Sequence, residues 1–353
     1  MSEDKNKIAS LITRREFLSV TATASAGAFL AGCAPPATQT AAPSAAPTTP
    51  PEPAKQATDE TYIWVGAVTA IAFWLDGQKG FYGACESLGV KAEYLGPVEY
   101  DAVAQLKILE ELIARKPAGI MIFPADDQSL NEPLKRAMAA DIPVIVVNHD
   151  VNDPTARYGF VGPDNFQVGV IGGKYVVDYL GGKGKVAFMT TTNPAHGLRA
   201  AGYKSVFEGY PDIEVVAEVD EKSDPAYGLT VATQLIQSQP DLNMIIGVDA
   251  TAGAATARAL KETNMAGKIM CVAMDRDDDM LPYIEDGTIL ATMAQNSVLE
   301  EWMATHYLYW LKHNTVPAFP DWKAAGAPQV PGITDTGVTV VTKDNVKYFY
   351  HTT

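Results

Sequence analysis

Cysteine is scarce, with three in 353 residues, too few for a disulfide framework. Positive charge is in deficit. The 27 Lys and Arg face 42 Asp and Glu, a formal net charge of −15. That balance excludes wrapping a nucleic-acid backbone, where affinity comes from counterions displaced by clustered Lys and Arg. It also excludes a polybasic membrane-surface module. No purely apolar run reaches roughly eighteen residues, so no ordinary spanning helix is expected. Catalytic and nucleotide motifs are missing too: no GxGxxG opens a helix after the first strand, and GxxxxGK[ST], GxSxG and HExxH do not occur. His149, His196, His306, His313 and His351 show no metal-ligand spacing. The run Asp275–Asp279 lacks the Gly and the bidentate Glu of a calcium loop, and Asp277 or Asp278 is expected to cap a helix there. No metal, cofactor or catalytic group is therefore expected. What is present is an ordinary globular balance, 47% hydrophobic and 20% charged, over a length that suits two domains.

The N-terminus carries an address. Thr13-Arg14-Arg15-Glu16-Phe17-Leu18 resembles a twin-arginine export motif, and Leu30-Ala31-Gly32-Cys33 resembles a bacterial lipobox. The resemblance implies a signal peptide over residues 1–32 and a diacylated Cys33 beginning the mature chain. Two acyl chains hold a protein on a membrane where one does not. Residues 34–58 contain seven prolines and no large apolar side chain, so 33–58 reads as an extended spacer. Cys85 and Cys271 fall in apolar helix and strand patterns and read as buried thiols.

From residue 60 short apolar runs alternate with amphipathic stretches. Gly119–Phe123 and Pro143–Val147 are near-continuous apolar runs flanking a helical pattern, as expected for parallel strands covered on both faces. The alternation continues to a long helix over Ser297–Lys312. It predicts an α/β protein with two doubly wound parallel-sheet lobes. Gly181-Gly182-Lys183-Gly184 looks phosphate-binding, but it joins a helix to the next strand and so reads as a helix C-cap and turn. Ligands of such sheets sit beyond the carboxyl ends of the strands. There the sequence places Phe73-Trp74, Asn148-His149-Asp150, Asn193 with His196, Asp249, Asp275 and Gln295, a polar and aromatic set suited to a small hydroxylated ligand.

These residues, with Arg199-x-x-Gly202-Tyr203, the Asp249 turn before Gly253-Ala254-Ala255, and the closing Thr336-Gly337-Val338, form an ordered series. It resembles the ribose/galactose type of periplasmic sugar-binding protein, the substrate-binding lipoproteins of ABC importers. The resemblance implies a type I architecture, its lobes joined by a multi-strand hinge. One lobe would comprise residues 59–162 plus 296–325, the other 163–295 plus 326–353. By position, Phe73 and Trp74 would stack on a sugar ring. Asn148, Asp275 and Gln295 would take hydroxyls, and Arg199 would offer its planar fork. Asp249 is a further acceptor, with Asn193, His196 and Asp150 as outer candidates. The implied role is non-catalytic: a monomeric, lipid-anchored extracytoplasmic receptor that hands a pentose, hexose, deoxysugar or polyol to a membrane permease. A ligand-presenting sensor is the alternative, since the Val248-Asp249-Ala250 turn is closer to the branch that binds autoinducer-2-like furanoses.

Overall fold

Alternation of side chains along each strand, with helices on both faces, dictates the architecture. The computed structural model describes residues 59–351 apart from 70–72, 317–318 and 320. The signal, the anchor Cys33 and the spacer expected over 33–58 lie outside the described residues.

The first lobe is built from β1 (Thr61–Val65), α1 (Trp74–Leu88), β2 (Lys91–Leu95), α2 (Ala102–Arg115), β3 (Gly119–Ile122), α3 (Asn131–Ala139), β4 (Val144–Val147) and β5 (Gly159–Gly162). The second contains α4 (Asn165–Leu180), β6 (Gly184–Thr190), α5 (Pro194–Phe207), β7 (Ile213–Asp220), α6 (Pro225–Ser238), β8 (Met244–Gly247), α7 (Ala250–Glu262), β9 (Met270–Met274), α8 (Leu281–Glu285) and β10 (Ile289–Ala294). The chain then returns through α9 (Ser297–His313), α10 (Trp322–Ala325) and β11 (Ile333–Asp335), and ends beyond β12 (Thr339–Val341). The sheet orders are β11-β5-β4-β3-β1-β2 and β12-β10-β9-β8-β6-β7. All pairings in the first are parallel. In the second only β10–β12 is antiparallel.

Each face of the first sheet buries its own core. Ile63, Val65, Ile120, Ile122, Val144 and Val146 point towards Leu109 and Leu112 of α2 and Leu134 of α3. Tyr62, Trp64, Met121 and Ile145 point the other way, towards Phe81 of α1 and Leu308 of α9. Cys85 and Cys271 are buried and free, and burial pushes both thiols up to about 12.

The chain crosses between sheets three times: after Gly162, at Gln295-Asn296 and at Thr336–Val338. β11 pairs with β5, Ile333 opposite Phe160. Residues 326–335, assigned from the sequence to the second lobe, therefore run with the first, and the third crossing comes later than expected. A three-residue edge strand carries too little periodicity to be read in advance. Asp277 and Asp278 likewise do not cap α8 with their side chains. The Asp277 carbonyl accepts from the Met280 and Leu281 amides, while the Asp278 carboxylate accepts from the His351 amide at 3.1 Å. Gly181 does close α4 in the left-handed conformation.

Candidate functional site

Two matched corners face the hinge. Asn148 follows β4 and Asp275 follows β9, and both take left-handed backbone, φ 64° and 67°. Asn and Asp tolerate that region better than other non-glycine residues. Gln295, on the second crossing, joins them. Its Nε2 donates to Asp275 Oδ1 at 2.7 Å, and its Oε1 accepts from Asn148 Nδ2 at 3.3 Å. One chain of hydrogen bonds thus runs from the first lobe through the hinge to the second.

Arg199 sits beneath this chain on α5. Gly169 of α4 and Gly202 of α5 let these two helices nearly touch: a Cβ at Gly169 would lie 2.0 Å from the Arg199 carbonyl oxygen. That approach lets Arg199 Nε donate to Asn165 Oδ1 at 2.8 Å, while Nη1 donates to the Val248 carbonyl at 2.9 Å. Arg199 is only 3% exposed. Burial pulls its proton affinity down, and Asp275, Asp249 and Glu300 hold it up. Burial also raises the carboxyls of Asp275, to about 6, and Glu300, to about 7, with Arg199 opposing in each case. One buried cation among these acids leaves the cleft rich in both donors and acceptors. Such a surface suits an uncharged, hydroxylated guest.

The structure places the other expected residues differently. Trp74 is 2% exposed, edge-on to Trp64 with ring centroids 5.7 Å apart and against Phe123 at 4.9 Å. It belongs to the core of the first lobe, because its neighbours offer enough apolar area to bury the whole indole. Phe73 is half-buried and the more accessible ring of the pair. Asp150 is gripped by the Arg157 guanidinium through both carboxylate oxygens, which satisfies it away from any ligand. Asp249 caps α7, accepting from the Thr251 and Ala252 amides at 3.1 and 3.0 Å and from Ser223 Oγ at 2.7 Å. Its neighbour Glu221 is wholly buried, and burial, with the Asp249 carboxylate beside it, raises its carboxyl to about 10. Asp249 therefore acts on the cleft through its charge. Asn193 caps α5, its Oδ1 accepting from the Ala195 amide, and its Nδ2 donates across the lobes to the Tyr100 hydroxyl at 2.8 Å. His196 Nδ1 lies 2.6 Å from Thr191 Oγ1. Burial and Arg199 depress this imidazole to about 3, so it stays neutral.

Four further members of the cluster were given no role from the sequence. Asn165 and Thr336 lie at crossings, where a polar residue reads as a loop or cap. Glu300, in the first turn of α9, reads as a complement to the helix dipole, yet it is fully buried. His149 is 5% exposed, and its Nε2 has no partner among the described residues; burial lowers its proton affinity. Its only sequence signal was its place beside Asn148. At the edge of the cluster a cavity of about 660 Å³ opens between Asp76, Arg276, Gln295 and His351. Here Arg276 of the second lobe pairs with Asp76 of the first. Among the described residues no group of His, Cys, Asp and Glu is arranged to hold a metal ion.

Two mostly parallel α/β sheets, joined by three crossings with polar groups from both meeting at the hinge, define a type I bilobal architecture. A family model described as a periplasmic binding protein domain matches residues 62–312, and the chain belongs to that family. It is 29% identical to the D-allose-binding periplasmic protein of Escherichia coli (strain K12), over 64% of this chain and 75% of that one. Among solved structures, a sugar-binding protein of a sugar ABC transporter from Bacillus halodurans is 31% identical. It has a TM-score of 0.76 and covers 82% of this chain and 100% of its own. An ABC transporter solute-binding protein from Burkholderia graminis C4D1M, in complex with D-arabinose, is 30% identical. Its TM-score is 0.76, and it covers 84% of this chain and 100% of its own.

Proposed function

We propose that this protein is the extracytoplasmic capture component of an ABC sugar importer, binding a monosaccharide or polyol between its lobes without transforming it. The observation that carries this reading is the continuous bond chain Asn148–Gln295–Asp275, which draws on both lobes and the hinge. A ligand inserted there engages both halves together, so binding energy favours the closed shape. Relatives named for D-allose and solved with D-arabinose support a pyranose- or furanose-sized neutral guest. Specificity follows from the cost of leaving any one of these buried groups unpaired when an epimer binds. On this reading Asn148, Arg199, Asp275 and Gln295 are the direct contacts, with Phe73 the available ring. Cys33 is the lipidated anchor, and residues 33–58 carry the monomeric receptor clear of the membrane towards its permease.

Thermal-shift screening against pentoses, hexoses, deoxysugars and polyols tests the binding reading, which expects one stabilising class. A flat response over the whole panel overturns it. Labelled fatty acid incorporated into the wild type but not into Cys33→Ala tests the anchor separately.

A further inference from the structure

Glu300 is an anomaly in the first turn of α9. It is 0% exposed, and among the described residues it makes no salt bridge, Arg199 acting on it only through its charge. Its Oε2 accepts from Asn148 Nδ2 at 3.2 Å, and its Oε1 accepts from Thr336 Oγ1 at 3.1 Å on the third crossing. The second hydrogen of Asn148 Nδ2 goes to Gln295 Oε1 at 3.3 Å. Both donors of the amide are thereby committed, and its planar geometry turns Oδ1 away from Glu300 and Gln295. An ionised carboxylate has no hydrogen to give, so it accepts only this orientation of the amide. A protonated carboxyl can donate to Oδ1 instead, so that only the 3.3 Å bond to Gln295 Oε1 then opposes the turned-over amide.

We propose that Glu300 is a positioning residue for ligand capture, whose ionised carboxylate holds Asn148 with Oδ1 towards the cleft as an acceptor for a ligand hydroxyl, and whose protonation releases that amide. The proposal rests on the sugar-capture reading above and adds regulation to the same site.

The surroundings place the switch near neutrality. Burial and the Asp275 charge keep the proton on Glu300, while Thr336, Asn148 and Arg199 draw it off, leaving the group at about 7. Glu301 follows it on α9, fully buried and raised well above the usual carboxylate range by burial and by the Glu300 charge. Asp76 of α1 faces Glu301. His149 and His196, held neutral, face Arg199 rather than Glu300. Below neutrality the amide is loose and capture weakens. Above it the amide is fixed and capture strengthens.

The experiment is calorimetric titration of the intact protein between about pH 6.5 and 8.5, with the sugar that stabilises it most among D-allose, D-ribose and D-arabinose. Wild-type affinity should rise severalfold over this range. Glu300→Gln should flatten the profile and weaken binding about tenfold at the alkaline end, the scale of one charge-assisted bond. Thr336→Val, which removes one donor to the carboxylate, should move the midpoint to higher pH, an effect that mere loss of packing does not produce. A pH profile that persists unchanged in Glu300→Gln overturns the proposal. If no sugar binds, the sugar reading fails. The ligand-free protein then decides the role of Glu300, through the side-chain amide resonance of Asn148. A resonance that titrates in the wild type and not in Glu300→Gln supports the device, and one that does not titrate refutes it.

Discussion

Replacing Asp275 with asparagine should pull apart two properties that the wild-type carboxylate holds in opposition. The group is 4% exposed, and burial raises it from the usual 3.8 to about 6 despite Arg199 and the bond from Gln295. A rise of that size corresponds to about 3 kcal/mol between the two protonation states. A carboxyl raised on folding contributes stability that is fully present below its unfolded value and lost as pH rises through about 6. At pH 8 the ligand-free wild type therefore carries a penalty of up to about 3 kcal/mol that an isosteric amide avoids. Asparagine keeps an acceptor for Gln295 Nε2, so the local geometry survives. Denaturant melts of ligand-free protein should show Asp275→Asn within about 1 kcal/mol of wild type at about pH 4.5 and more stable at pH 8 by about 2–3 kcal/mol. Sugar affinity should move the other way. An ionised acceptor for a hydroxyl is worth about 1.5–3 kcal/mol, so binding should weaken about 10- to 100-fold. A variant that gains no stability at pH 8, or that binds the sugar as well as wild type, refutes both the electrostatic account and the place of Asp275 in the site.

Three further outcomes follow from the same geometry. Arg199→Met leaves Asp275 and Glu300 without their buried cation; it should lower stability at pH 8 by about 3–5 kcal/mol, less at pH 5, and abolish binding in calorimetry. Gly202→Ala places a Cβ 2.1 Å from the Phe166 carbonyl oxygen, so α4 and α5 must separate. Chemical denaturation should report a loss of about 1–3 kcal/mol, with sugar affinity falling as Arg199 leaves Asn165. Tyr100→Phe removes only the half-exposed cross-lobe bond to Asn193, so stopped-flow should show ligand release faster by a few-fold at most, with the melting temperature unchanged.

Much of the fold is legible locally. Asp101 stands just before α2 and accepts from the Val103 and Ala104 amides, a cap set by neighbours in the chain, and Gly181 closes α4 as its place before the next strand implied. Near-continuous apolar runs such as Val144–Val147 mark strands covered on both faces. Asn148, Asp275 and Gln295 were placed by the strand ends on which they fall and Arg199 by the family resemblance, and the structure brings those four together. Trp74 was misread because adjacent aromatics look hard to bury side by side. Only the packed lobe reveals Trp64, Phe81 and Phe123 waiting around it. Asp150 and Asp249 each hold a structural partner that the sequence did not announce. A carboxylate at a turn serves a ligand, an arginine or a helix cap with the same chemistry, and sequence position does not say which partner arrives.

Sequence alone therefore determined the order of strands and helices as far as α9, because periodicity and capping are local properties of the chain. It also determined which turns carry polar groups. Tertiary structure decided the rest: which polar groups lose their water, which pair, and which remain open towards the cleft. Glu300 shows the physical reason. On its own helix it is an ordinary first-turn acid, and it becomes a buried acceptor for Asn148 and Thr336 only when segments 152 and 36 residues away close around it.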